Sequence, residues 1–90
     1  MEKDEFDGLR EQLESFTWPR VYMFKFIVPN AAESLDKVYA LFNSEVAEVS
    51  HRESKSGKFI SVTGKEMMLT SESVIERYKQ ARGIPGLLSL

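Results

Sequence analysis

Apolar residues along this chain recur at two periods, and each period predicts a set of elements. From Val21 to Val28 the period is two: Tyr22, Phe24, Phe26 and Val28 fall on one side, and Val21, Met23, Lys25 and Ile27 on the other. The aromatic side predicts a core-facing strand, and apolar residues on both sides predict a central place in the sheet. Period two returns over Val46–Arg52 and from Lys58 to about Leu69, with the polar run Glu53-Ser54-Lys55-Ser56-Gly57 between them. Lys55 opposite Lys58 pairs Glu53 with Ile60, His51 with Val62 and Val49 with Gly64. That register puts Val49, Ile60 and Val62 on one face and Ser50, Arg52, Phe59, Ser61 and Thr63 on the other. A slip of one residue would mix the two sets, so the apolar pattern selects this hairpin. Ser56-Gly57 then forms a tight turn, with Gly57 supplying positive φ. Gly64-Lys65-Glu66 interrupts the alternation and predicts a bulge.

Helical spacing fills the gaps. Phe6, Leu9, Leu13 and Phe16 make an apolar stripe over residues 4–16. Pro19 ends that segment and pushes Trp18 to extended geometry. Asn30, with Glu33 three residues on, predicts the N-cap of a second helix whose buried stripe is Leu35, Val38, Tyr39, Leu41 and Phe42. Thr70-Ser71 opens a third, lined by Val74, Ile75, Tyr78 and Ala81, with Gly83 placed to cap its end. Gly86–Leu90 reads as a short last strand. The order is a helix followed by β-α-β-β-α-β, an α+β ferredoxin-like sandwich. A four-stranded antiparallel sheet carries two helices on one face, with the first and third strands central. The organisation divides into an acidic amphipathic N-terminal segment, residues 1–18, and a ferredoxin-like domain, residues 19–90.

On this register the face opposite the helices displays Met23, Lys25 and Ile27 from the first strand, Phe59, Ser61 and Thr63 from the third, and Ser50 and Arg52 from the second. Lys55 and Lys58 form a basic turn at its end. The N-terminal helix is the spare element that could cover this face. Charge sharpens that idea: residues 1–15 carry six acids and two bases, in a chain of net charge -2. An acidic segment could also dock on the basic hairpin tip.

Several residues together carry a family resemblance. They are Phe16-Thr17-Trp18-Pro19, the hairpin Ser54-Lys55-Ser56-Gly57-Lys58-Phe59-Ile60-Ser61-Val62, Ser73 and Tyr78, and the closing Ile84-Pro85-Gly86-Leu87. Over residues 13–90 the chain resembles the YbeD-like family of small bacterial proteins of unknown function. The resemblance implies the same β-α-β-β-α-β fold, similar to ACT-type regulatory domains, and carries no catalytic residues to place here.

Candidate chemistry narrows rather than names a function. Ninety residues without cysteine exclude disulfides, thiolate metal sites and cysteine nucleophiles. Lone His51 reads as structural beside Val62 rather than as a catalyst or zinc ligand. The loop Pro29-Asn30-Ala31-Ala32 has no base to hold a phosphate, and no glycine-rich phosphate loop follows a strand. The chain is therefore expected not to be an enzyme and to hold no metal or cofactor. No apolar run reaches the ~20 residues of a membrane span, and the acidic start is unlike a signal peptide. A cytoplasmic location is expected, with no membrane partner. The composition points to a small regulatory or protein-interaction module acting through the open face, or by self-association. Single-stranded RNA on Phe59 and the neighbouring cations is the first alternative. An ACT-like small-molecule effector at the loop after the first strand is the second.

Overall fold

A computed structural model of the chain describes residues 5–90. Its elements are α1 (Asp7–Glu14), β1 (Arg20–Pro29), α2 (Ala32–Tyr39), β2 (Glu48–Glu53), β3 (Phe59–Met68), α3 (Ser71–Ala81) and β4 (Leu88–Ser89). Four antiparallel strands form one sheet in the order β2-β3-β1-β4. The two ten-residue strands are central, as their pattern predicts. β1 pairs with β3 along its whole length, from Arg20↔Met68 to Pro29↔Phe59.

The hairpin register is the one the alternation selects: Val49↔Gly64, His51↔Val62 and Glu53↔Ile60. Its tip is looser than a two-residue turn. The Ser54 N–H closes the ladder on the Phe59 carbonyl, and the Gly57 N–H returns to the Ser54 carbonyl, leaving Lys55–Lys58 as a four-residue loop. Gly57 holds φ +73°, which a side chain would oppose.

One core lies between the sheet and the helices. Phe24, Phe26 and Val28 of β1 and Ile60, Val62 and Met68 of β3 pack against Val38, Phe42, Val74, Ile75 and Tyr78. Burying apolar area of this size is the main force holding the layers together. Phe24 and Phe26 stack, and the other core rings meet edge-on or tilted, as with Phe24 and Tyr78 at 5.4 Å between centroids.

No bulge interrupts β3. Its ladder to β1 continues unbroken through Thr63, Gly64, Lys65 and Glu66, and the inward positions are Ile60, Val62, Gly64, Glu66 and Met68. The apparent break in hydropathy has two packing causes. A Cβ on Gly64 would overlap the Phe42 ring at Cε1 and Cζ, so the ring occupies the space of the missing side chain. Glu66 is buried because α3 brings a partner to it: Arg77 Nη1 and Nη2 donate to its two carboxylate oxygens at 3.1 and 2.8 Å. The Asn43 backbone N–H adds a third bond at 3.0 Å. Burial pushes the Glu66 carboxyl up, but these donors and the Arg77 charge outweigh it and hold the group below its ordinary range.

Two caps differ from expectation. α2 starts after Ala31 with no side-chain cap. Asn30 is drawn away instead: its amide donates to Glu53 Oε1 and to the Gly57 carbonyl, each at 2.7 Å. At the end of α3 the cap is Arg82, and the positive φ belongs to Gly86 (+75°), which packs on Pro29. Thr70 does cap α3, in a reciprocal box with Ser73.

α1 is shorter than the stripe over residues 4–16 predicts, and Asp4 lies outside the described residues. It sits on the helix side. Leu13 is in the core, Arg10 bridges to Glu72 of α3, and Glu5 pairs with Arg82. Trp18 Nε1 donates to the Leu13 carbonyl at 2.8 Å, tying the end of α1 to the start of β1. Residues 5–15 therefore pack neither over the open sheet face nor on the hairpin tip.

Candidate sheet-face interface

With α1, α2 and α3 all on one side, the other side of the sheet is uncovered by any described residue. Strand alternation sets what it shows. Cross-strand partners share a face, so two rows cross the sheet: Lys25↔Thr63↔Ser50 and Ile27↔Ser61↔Arg52. Phe59 sits opposite Pro29 at the hairpin end, and Met23 sits opposite Lys65 toward the other end. All eight residues expected on this face, Met23, Lys25, Ile27, Ser50, Arg52, Phe59, Ser61 and Thr63, are brought together there. Met23 is 48% exposed and Phe59 47%, values that exclude both from the core.

The surface has two characters. A shallow depression of about 480 Å³ lies between the Ile27 and Phe59 side chains, with Arg52 and Lys55 at its margin. Beside it a second, of about 500 Å³, is lined by Lys25, His51, Arg52 and the hydroxyl residues Ser50, Ser61 and Thr63. An apolar floor thus adjoins a patch of cations and hydroxyls. Lys25, Arg52, Lys55 and Lys58 make no ion pair among the described residues, so their charge is available to a ligand.

The hairpin tip is held in place from several directions. Ser54 Oγ accepts from the Phe59 N–H and Ser56 Oγ from the Lys58 N–H. Asn30 clamps Gly57 and Glu53 from the loop after β1. Ser54, Ser56, Gly57 and Asn30 therefore hold the loop while Lys55 and Lys58 point outward, exposed. The same contacts occupy the Asn30 side chain, the polar group that an effector in that loop would otherwise use.

His51 lies on the side of β2 that faces α2, where its Nδ1 and the Tyr39 hydroxyl are 2.7 Å apart. Tyr22 and Tyr78 share a hydrogen bond of 3.1 Å on the helix side. Burial first, and then that bond, push the Tyr78 phenol well above its ordinary range and keep it protonated. Neither pair reaches the open face.

The exposed face extends further than the sequence reading placed it. Val21 (54% exposed) and Met67 (52%) are paired across β1 and β3 and continue the apolar surface beyond Met23. Leu88 of β4, opposite Ile27, adds to its margin. Expecting a bulge at Gly64–Glu66 hid Met67, because alternation was not carried through it. Leu88 had no signal, since nothing in Gly86–Leu90 fixes which residue pairs with Ile27.

Among the described residues no helix is long and apolar enough to cross a membrane. The sequence model of one family matches residues 14–88, and that family is described as "Protein of unknown function (DUF493)". No curated protein and no solved structure matches the chain.

Proposed function

The chain belongs to the DUF493 family, in agreement with the YbeD-like resemblance of its hairpin and closing segment, and on that footing we propose that it is a non-enzymatic interaction module whose binding surface is the open sheet face. The strand order β2-β3-β1-β4 with both crossover helices on one side supports reading the fold as ferredoxin-like. One observation carries the functional reading. α1, the element available to cover the face, packs on α3, and Met23, Phe59 and Met67 remain exposed as one side of a central strand pair. Methionine, aromatic and arginine side chains are what protein interfaces concentrate. The partner surface is apolar at its centre and acidic where it meets Lys25, Arg52 and Lys55. The protein works as a regulator in the cytoplasm, without cofactor or membrane partner.

Single-stranded RNA is the second reading, favoured by the cluster of Lys25, Arg52 and Phe59. It is the weaker one, because Phe59 is the one aromatic on this face among the described residues and RNA sheets stack successive bases. An ACT-like effector is third, since Asn30 is already engaged.

Affinity capture from the source cell's lysate tests the reading, with the native chain and Phe59→Asp compared side by side and a nuclease arm added. A protein retained by the native chain and lost from Phe59→Asp supports the proposal. Nuclease-sensitive retention supports RNA. Equal retention by both chains contradicts an open-face site.

A further inference from the structure

The β4 side of the sheet is unfinished. β1 runs for ten residues, but β4 pairs only with Phe26 and Ile27, and the Leu90 N–H adds one bond to the Lys25 carbonyl at 2.9 Å. That bond fixes the direction of the backbone groups: odd-numbered residues of β1 point their N–H and C=O toward β4. The next two in line, Met23 and Val21, have no hydrogen bond on this edge among the described residues. Two donors and two acceptors stand free on a central strand. No described residue covers them: between α1 and this edge lies a groove of about 460 Å³, bordered by Leu9, Leu13 and Phe16.

Between Arg20 and Lys25 this edge carries no charge, proline or bulge. Exposed edges are protected by charged side chains, proline or a bulge. The opposite edge, β2, follows that rule with Glu48, Arg52 and Glu53 among its six residues. The β1 edge presents Val21 and Met23, and its ladder has no bulge.

We propose that this edge pairs with the same edge of a second copy, joining two sheets into one of eight strands. The register follows from the free groups. With the strands antiparallel and Tyr22 opposite Tyr22 of the second copy, Val21 faces Met23 in both directions. Both are hydrogen-bonding positions, so each copy's two donors and two acceptors are all satisfied. Val21 and Met23 of both copies then meet on the open face next to Met67, forming one apolar strip. The two Arg20 side chains stand four residue steps apart, roughly 14 Å, a distance at which salt screens their repulsion. A twofold contact of this kind is self-complementary and closes, so it forms a dimer rather than a fibre. The inference shares Met23 and Met67 with the open-face reading but rests on the backbone groups of the edge; Phe59, Arg52 and Lys55 lie toward the other end of β1, so Phe59→Asp and Val21→Lys separate the two.

The test is the mass of the full chain in solution from micromolar to millimolar concentration, together with residue-resolved amide exchange. The native chain is expected to dimerise, with the Val21 and Met23 amides slowing as the dimer forms. Val21→Lys places a charge on the edge and is expected to give a folded monomer in which the Met23 amide exchanges freely. Met23→Pro removes only an N–H that has no partner in the single chain, and gives the same result if β1 tolerates the ring. Phe59→Asp leaves the dimer intact. A native chain that is monomeric throughout overturns the proposal, as does a dimer lost in Phe59→Asp but kept in Val21→Lys. A single copy whose two amides slow only on adding another protein assigns the edge to a foreign strand and also overturns it.

Discussion

Met67 and Met68 are neighbours in β3, yet they sit on opposite faces of one sheet: Met67 is 52% exposed and Met68 is 4% exposed. The face that holds Met68 is closed by three helices, and each of its departures from apolar character is matched by a partner. Gly64 leaves room for Phe42, and Glu66 receives Arg77. The face that holds Met67 mixes apolar side chains, hydroxyls and cations that make no ion pair among the described residues, with no described element over them. Irregularity on the covered face is thus packing, whereas apolar character on the open face has no packing role within the chain. That difference is why the functional reading rests on the second.

Variants that cross the divide are expected to have very different costs. The largest effect is on the covered face. Arg77→Met leaves the Glu66 carboxylate buried without its partner and is expected to lose about 3–5 kcal/mol in urea unfolding at neutral pH. The same pair gives a pH signature. Glu66 is held below its ordinary value of 4.5, so its contribution is complete above that pH and is lost as pH falls through the folded-state value. Arg77→Met should reverse the sign at this site. With the guanidinium gone and only the Asn43 N–H left, burial raises the carboxyl, and the variant gains stability relative to native as the pH is lowered.

Gly64→Ala comes next. Its new methyl group meets the Phe42 ring, and overpacking of this kind costs about 1–3 kcal/mol, read from the shift in denaturation midpoint. Asn30→Ala removes two hydrogen bonds at the hairpin tip. It is expected to cost about 1 kcal/mol and to speed amide exchange at Gly57 and Lys58. The smallest effect belongs to the open face: Phe59→Asp should change stability by no more than about 0.5 kcal/mol in the same urea experiment.

The two faces were also unequally legible. Period-two alternation gave the order of elements, the central strands, the hairpin register and the face of each of the eight residues expected on the open side, because a strand buried on one side must alternate. It failed where an inward position is occupied for reasons outside its own strand. Gly64 depends on a ring from the segment after α2 and Glu66 on a guanidinium from α3, so both looked like a bulge. Asn30 read as a helix cap because its competing partners, Glu53 and Gly57, are distant in sequence. The docking of α1 on α3 was hidden for a similar reason. An amphipathic stripe says that a helix needs a surface, while the Arg10–Glu72 and Glu5–Arg82 pairs that choose the surface join residues far apart in the chain.

Hydroxyl-radical oxidation of the methionines tests the central claim most directly, with Met68 as an internal reference for Met23 and Met67. In the isolated chain at high dilution, Met23 and Met67 should oxidise much faster than Met68. In the Val21→Lys chain, which does not self-pair at the β1 edge, held in its own cell lysate, the account predicts that both slow toward the Met68 rate while Met68 itself stays unchanged. Met23 and Met67 that oxidise as fast in lysate as in dilute buffer would contradict a role for the open face in binding.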